Sequence, residues 1–595
     1  MALGTVDWLI VAAFFVVILL VGLLVAKRAG SSSAEYFLGG RSMPWWLLGI
    51  SMVATTFSTD TPNLVTDIVR KHGVSGNWLW WAFLLTGMLT VFIYAKLWRR
   101  SSVMTDVEFY EIRYSGKAAA FLRGFRAIYL GIFFNVMIMA AVSLAAIKIG
   151  GVLLELTPLK SVLIAMTVTV VFCSLGGFRS VLITDFILFI FAMFGAVMAA
   201  VVACKHPDVG GLSGLFAHPQ VASKLSLLPD FNDPKAFIPI LLIPIAVQWW
   251  SVWYPGAEPG GGGYLAQRML SAKDEKNAIG ATLLFNVCHY AIRPWPWIIV
   301  ALASIIVYPD LASLKAAFPH VDENIIGNDL AYPAMLTFLP SGILGIVVAS
   351  LIAAYVSTIS THLNWGSSYI VNDYYKRFIN PHASEKQQVL VGRLSTMVLA
   401  VLTCIIALLL SNALQAFEIL LQIGAGTGLI FILRWFWWRI NAWSELTGMI
   451  ISFAVALIFL ILKKTGTFEL QAWQELLAGV AITTLSWMIA TLVTRPTDDK
   501  VLQNFYRLVR PGGRGWDKVI NKAKLDGEPI TETATTGDLP RGIVCMIAGC
   551  LAVYSTLFAV GYYMYAQLTS AVICTLLAAG TILFLLFTWN KLETR

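Results

Sequence analysis

Between residues 6 and 589 the chain carries about fifteen runs of about 18 or more mostly apolar residues, the length with which a helix crosses roughly 30 Å of hydrocarbon. They lie near 6–27, 45–69, 77–97, 119–148, 156–175, 180–204, 237–255, 277–307, 331–372, 388–411, 414–434, 443–462, 472–494, 542–564 and 567–589. Within hydrocarbon every backbone N–H and C=O needs an internal partner, so runs of this length specify helices. With 58% hydrophobic and only 13% charged residues, a soluble fold is excluded and an all-α polytopic membrane protein is expected.

The first run leads into the polar segment "AKRAGSSSAEYFLGG" without a small-residue cleavage site, which predicts a retained helix rather than a signal peptide. With the N-terminus outside, about 31 of the 42 Lys and Arg fall on one side and about 10 on the other, with Arg293 inside a run. The net charge of +9 is therefore a topology signal, placing the C-terminus inside, in a plasma membrane of the bacterial inner-membrane kind. It is not a nucleic-acid signal. Connections are short except for external segments 205–236 and 308–330 and an internal one, 495–541. The last is polar and rich in Gly and Thr, which predicts a linker to an accessory pair of helices.

Fifteen spans suit a channel, a transporter or a membrane enzyme, so polar residues at membrane depth have to decide. The seven histidines are scattered without metal-binding spacing, and the seven cysteines sit in or beside apolar runs as packing residues. No nucleophile–base pair or repeated pore motif is visible, and no organic cofactor or obligate protein partner is implied; membrane lipid and a small solute are the expected partners.

The second run reads "PWWLLGISMVATTFSTDTPNLVTDIVRKHG", apolar to Ala54 and then dense in hydroxyls up to Pro62, which cannot donate to a helical ladder. A break here frees carbonyls such as those of Ala54 and Phe57 to meet a cation, although a Thr-rich packing face with a proline kink fits equally. In the ninth run, "VVASLIAAYVSTISTHLNWGSS", Ala354, Ser357, Thr358 and Thr361 share a helical face with Ser360 beside it. Neutral oxygens suit a weakly held monovalent cation, and small-residue helix packing is the alternative.

Three further features are costly in lipid. Asp185 is a lone acid inside an apolar helix. His289 and Arg293 share a face ahead of Pro294 and Pro296, and Arg293 needs a buried acid, with Glu258 as one choice, or a ligand. The stretch "QWWSVWYPGAEPGGGGYLAQRML", Gln248 to Leu270, interrupts another run with two prolines, a carboxylate and four glycines. It is either a slack surface loop or backbone kept unwound at a binding place, with Glu258 as gate partner or solute contact.

The motifs "GRSMPWWLLGISMVA", "SLGGFRSVLITDF", "QRMLSAK" and "AAYVSTISTHLN", followed by "DYYKRF" and "VGR", resemble the sodium:solute symporter family, over about residues 6–463. The resemblance implies a five-plus-five inverted-repeat (LeuT-type) core in which each repeat opens with a broken helix. Here that gives a leading helix and loop in 1–41, repeats in 42–204 and 237–434 around external loop 205–236, two added spans in 435–494, the linker 495–541 and two C-terminal spans in 542–595. It implies Na+ as coupling ion, held by the carbonyls of Ala54, Phe57 and Ala354 and the hydroxyls of Ser357 and Thr358. A second sodium, as in some relatives, falls on Asp185, Ser357, Ser360 and Thr361.

Solute positions transfer to Thr56, Thr61, Gln248 and His289, with Gln422 as a further candidate. Trp250 and Trp253 are available for stacking, and Glu258 and Arg293 for polar contact. The implied function is a non-enzymatic symporter importing a small polar solute, a sugar or sugar derivative first and an organic anion or amino acid second. A solute sensor on the same scaffold is the remote alternative.

Overall fold

The computed structural model describes residues 3–26, 39–103, 105–173, 178–252, 258–466, 470–530 and 538–589. Among them the fold is helical throughout, with one isolated β-bridge between Met43 and Ala272. In chain order the helices that build it are α1 (Thr5–Ala26), α2 (Trp45–Thr56), α3 (Asp60–His72), α4 (Val74–Ser101), α5 (Gly116–Leu154), α6 (Pro158–Cys173), α7 (Phe178–Lys205), α8 (Pro234–Ala246), α9 (Gly263–Ser271) and α10 (Glu275–Val307). There follow α11 (Ile343–Ile379), α12 (Glu385–Ala407), α13 (Ala413–Gly424), α14 (Gly428–Phe436), α15 (Ala442–Lys464), α16 (Ala472–Val493), α17 (Asp499–Val509), α18 (Asp517–Leu525), α19 (Asp538–Met564) and α20 (Leu568–Trp589).

Among the described residues ten helices are long and apolar enough to cross a membrane, and the pair α13 and α14, bent by 43°, makes an eleventh candidate. The other apolar runs fall on shorter apolar helices, within α1, α2, α6 and α8. Two of these are short because the chain breaks. Helix α2 stops at Thr56, where Phe57 turns to φ −89°, ψ 87°, and α3 starts at Asp60 with Pro62 in its first turn, where a missing N–H leaves no bond unmade. Helix α8, carrying Pro239 and Pro244, ends at Ala246; one 3-10 turn follows at Gln248–Trp250, and α9 starts at Gly263. The break at α13 and α14 has no proline; it sits at Gly424, Ala425 and Gly426, the last at φ +80°.

The leading helix is fastened by one acid. Asp7, 1% exposed, accepts from the backbone N–H groups of Gly342 (2.7 Å) and Gly345 (2.8 Å) and the hydroxyl of Ser341 (3.1 Å) at the start of α11. An anion at a helix N-terminus satisfies donors that have no partner within the helix. Helices α2, α7 and α11 then pack mutually, with α10 against α2 and α3, and enclose the polar residues described below.

The 495–541 segment, expected as a polar linker, is partly helical among its described residues. It forms α17 and α18, and Leu502, Phe505, Tyr506, Val509 and Trp516 are buried. Trp516 stacks on Phe505 at 5.6 Å, donates from Nε1 to the Trp435 carbonyl (2.9 Å) and has the Arg113 guanidinium 5.1 Å above its ring. The composition of the segment is polar, but its few apolar residues recur on one helical face, and burying that face fixes it to the bundle. The accessory pair, α19 and α20, packs together and against α4; Tyr554 donates to the Trp81 carbonyl (2.7 Å), and Trp295 of α10 donates to the Leu557 carbonyl (3.1 Å).

Candidate functional site

The first cluster joins three helices through Asp185, a fully buried residue of α7. Its Oδ2 accepts from Ser51 Oγ of α2 at 2.7 Å, and its Oδ1 accepts from Ser357 Oγ of α11 at 2.9 Å. A carboxylate that no water reaches keeps its charge only with hydrogen bonds and a cation at hand. The cation is Arg268 of α9, 1% exposed, whose Nη2 lies 3.8 Å from Asp185 Oδ2 and 3.2 Å from Thr55 Oγ1. Thus the acid that the sequence isolates in an apolar helix is paired, and three of its four neighbours carry hydroxyls.

Beside this cluster Thr358 Oγ1, on a residue with no exposure, has no partner, and Ser58 Oγ, on a residue 4% exposed, has only the neighbouring Asp60 carboxyl beside it. Leaving a buried hydroxyl unpaired costs about 1–3 kcal/mol, so such atoms point to a missing ligand. Ser58 lies in the break between α2 and α3, and Thr358 follows Ser357, which is tied to the same acid as Ser51 of α2. Ala54, Phe57 and Ala354 are all buried. The Ala54 carbonyl accepts from the Phe57 N–H (3.0 Å), and Ala354 lies inside the continuous helix α11, so both carbonyls keep backbone bonds. Hard oxygen donors without nitrogen or sulfur fit an alkali cation. Among the described residues no group of three or more His, Cys, Asp or Glu is placed to hold a metal ion. Of the residues in the predicted second set, Ser360 donates to the Ser357 carbonyl (3.1 Å) and, like Thr361, is half-buried.

A second cluster surrounds Arg293, buried completely on α10. Its Nη2 donates to His289 Nδ1 at 2.8 Å, and its Nη1 reaches Thr56 Oγ1 (3.2 Å) and the Val53 carbonyl (3.4 Å) at the end of α2. The guanidinium also lies over the rings of Trp297 (5.1 Å) and Phe57 (5.8 Å). Arg293 Nε has no hydrogen-bond partner. Thr61 closes the group, donating to the Thr56 carbonyl at 3.4 Å. The structure therefore brings Thr56, Thr61, His289 and Arg293 together at the first break.

The remaining described candidates have other partners. Glu258 is not the partner of Arg293: its Oε1 lies 2.5 Å from Nη2 of Arg126 on α5, and both residues are buried. The cause is local, since Gly260 (φ +90°) and Gly261 (φ +83°) turn the chain inward so that Glu258 faces α5. Nor are residues 258–263 a slack surface loop. All are buried, the Gly260 carbonyl accepts from Trp98 Nε1 (2.6 Å), and Gly263 N–H donates to Asp106 (2.9 Å). Gln248 donates to the Leu79 carbonyl, and Trp250 Nε1 to the Ala246 carbonyl (3.2 Å). Gln422 donates to the Glu475 carbonyl of α16 (3.2 Å), apart from the Arg293 group. Trp253 lies outside the described residues.

Sequence reasoning missed Arg268, Arg126, Ser51 and Ser58 as site residues. Arg268 carried a usable signal, because "YLAQRML" places a guanidinium among mostly apolar residues.

Residues 36–452 match the model of the sodium:solute symporter family, well over half of the chain. A sodium/glucose cotransporter of Vibrio parahaemolyticus is 26% identical over 484 residues, covering 78% of this chain and 86% of that protein. Sodium/myo-inositol cotransporter 2 of Oryctolagus cuniculus is 24% identical over 538 residues, covering 82% of this chain and 76% of that one. In fold, the chain is similar to the substrate-bound outward-open state of a Na+-coupled sialic acid symporter, with TM-score 0.61 and 21% identity over 83% of this chain and 99% of that chain. These relatives are transporters, not enzymes, and the apolar helices make this a multi-pass membrane protein. The chain belongs to the sodium:solute symporter family.

Proposed function

We propose that this protein imports a small polar organic solute, a sugar or sugar derivative as first candidate, by coupling its entry to the inward sodium gradient. The observation that carries the reading is the buried, unpartnered hydroxyl of Thr358 on α11, with the buried Ser58 at the break of the first interrupted helix as a second oxygen. Sodium bound there completes their coordination and holds α2 against α11. Because the ion binds one conformation better than the other, it shifts the population toward the solute-competent form, by no more than its differential affinity. The solute then lies at the same break, among Thr56, Thr61, His289 and Arg293, where interrupted helices leave polar backbone available. The protein sits in the plasma membrane with its N-terminus outside and its C-terminus inside, in keeping with the distribution of Lys and Arg.

The relatives named for glucose and myo-inositol favour a polyol. One observation favours an organic anion instead: Arg293 is fully buried and its Nε has no hydrogen-bond partner. A thermal-shift screen of sugars, sugar acids and amino acids, each with sodium and with potassium, separates the two. A substrate raises the melting temperature more in sodium than in potassium. If only carboxylated solutes do so, the sugar reading is replaced by the anion reading. If none does in sodium, the coupling itself is wrong.

A further inference from the structure

Three helix ends meet at one side of the bundle and leave a groove between them. Trp45 opens α2, Lys276 and Asn277 lie in the first turn of α10, and Leu586 and Trp589 lie in the last turn of α20. In the proposed orientation this is the inner side. The groove has a volume of about 530 Å³ and is completed by Gly280, Leu283, Leu284 and Val287 of α10. Its floor is tight: the Trp45 N–H donates to Asn277 Oδ1 at 2.9 Å, and a Cβ at Gly280 would stand 3.3 Å from Trp45 Cβ. Its far wall is not, because α20 is held chiefly by α19 and its last turn lies beside α2 and α10 without filling the space between them.

The length and polarity of the groove select its occupant. Lys276, Gly280, Leu283, Leu284 and Val287 share one face of α10. From Lys276 to Val287 the helix rises roughly 16 Å, about the depth of one leaflet of a hydrocarbon layer roughly 30 Å thick. Apart from Asn277 and Lys276 at the mouth the lining is apolar, and such walls at membrane depth are filled by hydrocarbon rather than by water or a polar solute. The acids next to Lys276 are engaged elsewhere. Both Glu275 oxygens accept from Arg100, at 3.0 and 3.2 Å, and Asp274 Oδ1 accepts from the Asn277 backbone N–H at 2.8 Å. Lys276 and Lys273 are exposed, so the mouth presents positive charge to the headgroup layer, with the indoles of Trp45 and Trp589 at the depth that tryptophan favours.

We propose that this groove binds one anionic glycerophospholipid, with an acyl chain along Gly280, Leu283, Leu284 and Val287 and the headgroup phosphate at Lys276. The lipid ties accessory helix α20 to α10 and to α2, the inner arm of the first interrupted helix. The site shares no residue with the Asp185 and Arg293 groups, and its occupancy does not depend on sodium coupling.

The test is equilibrium binding of tritiated dioleoylphosphatidylglycerol to the purified, delipidated full-length protein in dodecylmaltoside, without sodium or solute. Unlabelled dioleoylphosphatidylglycerol and zwitterionic dioleoylphosphatidylcholine serve as competitors. The wild-type protein is expected to show a saturable site at which the anionic lipid competes better. Lys276→Gln is expected to lose about fivefold of that preference, the contribution of one lysine near a lipid surface. Leu586→Trp, which fills the groove, is expected to lose the site. Both substitutions alter exposed side chains, so the fold is retained. No saturable site on the wild-type protein, or equal competition by the two lipids there, overturns the proposal without any variant. Full preference in Lys276→Gln, or undiminished binding by Leu586→Trp, overturns it as well.

Discussion

Arg126 on α5 and Glu258 beside the glycine-rich turn meet at 2.5 Å, 132 residues apart in sequence, with both side chains 2% exposed. The Arg126 guanidinium also stacks over Phe431 of α14 at 4.6 Å, so one arginine holds the second interruption against two other helices. Removing one member of such a pair leaves a charge buried and unanswered. Glu258→Gln is expected to lower stability by about 3–5 kcal/mol, and the double variant with Arg126→Met to recover a large part of that loss. Chemical or thermal unfolding of wild type, both single variants and the double variant measures it, and a double-variant loss equal to the sum of the two single losses would show that the pair is not coupled.

Close backbone contact predicts a contrast between glycines. A Cβ at Gly424 would run into the Val252 carbonyl, and one at Gly428 into the Trp250 carbonyl, so the bend of α13 and α14 receives the backbone of the second interruption. Gly424→Ala is expected to cost about 1–3 kcal/mol through overpacking and to reduce uptake. At Gly392 on α12 the nearest atom to a new Cβ is Val371 Cγ2 at 3.7 Å, so Gly392→Ala should be neutral or stabilising by up to about 1 kcal/mol. Similar melting temperatures for the two alanine variants would contradict this packing.

The internal segment gives a third prediction. Trp516 is fully buried against Phe505 and Arg113, although the segment carrying it is polar overall. Trp516→Ala is expected to destabilise by about 3–5 kcal/mol and to increase protease cleavage between α17 and α19. Unchanged cleavage would mean that the segment is a free linker after all.

Much of the fold was legible in the sequence because a helix that crosses lipid has to be long and apolar. Each run falls on a helix, and the breaks at Phe57–Thr59 and after Ala246 are marked by Pro62, by Pro239 with Pro244 and by the run of glycines. Asp185 and Ser357 were legible as polar residues in costly places. What they touch was not. Arg268 reaches Asp185 across 83 positions, and Arg126 reaches Glu258 across 132, so helix packing, which sequence periodicity does not encode, decides each partner. The assignment of Glu258 to Arg293 failed for that reason. Polar composition likewise hid α17 and α18, because four buried side chains on one face of α17 with Trp516 ahead of α18 suffice to anchor them.

The Arg293 group makes a fourth prediction. His289 accepts from Arg293 and contacts Thr56 (3.2 Å), which links α10 to the end of α2. His289→Ala removes an acceptor from a buried guanidinium and should weaken solute binding while leaving sodium binding in place. Isothermal binding of each ligand separately measures this. Loss of both together would place His289 in the sodium site or in the general fold instead.

The central claim is tested most directly in proteoliposomes, by accumulation of the solute identified in the thermal-shift screen under an inward sodium gradient. The account predicts accumulation above the external concentration with sodium and none with potassium, and loss of the sodium-driven component in Thr358→Ala while Gly392→Ala retains it. Equal uptake with either cation, or full sodium-driven accumulation by Thr358→Ala, would contradict it.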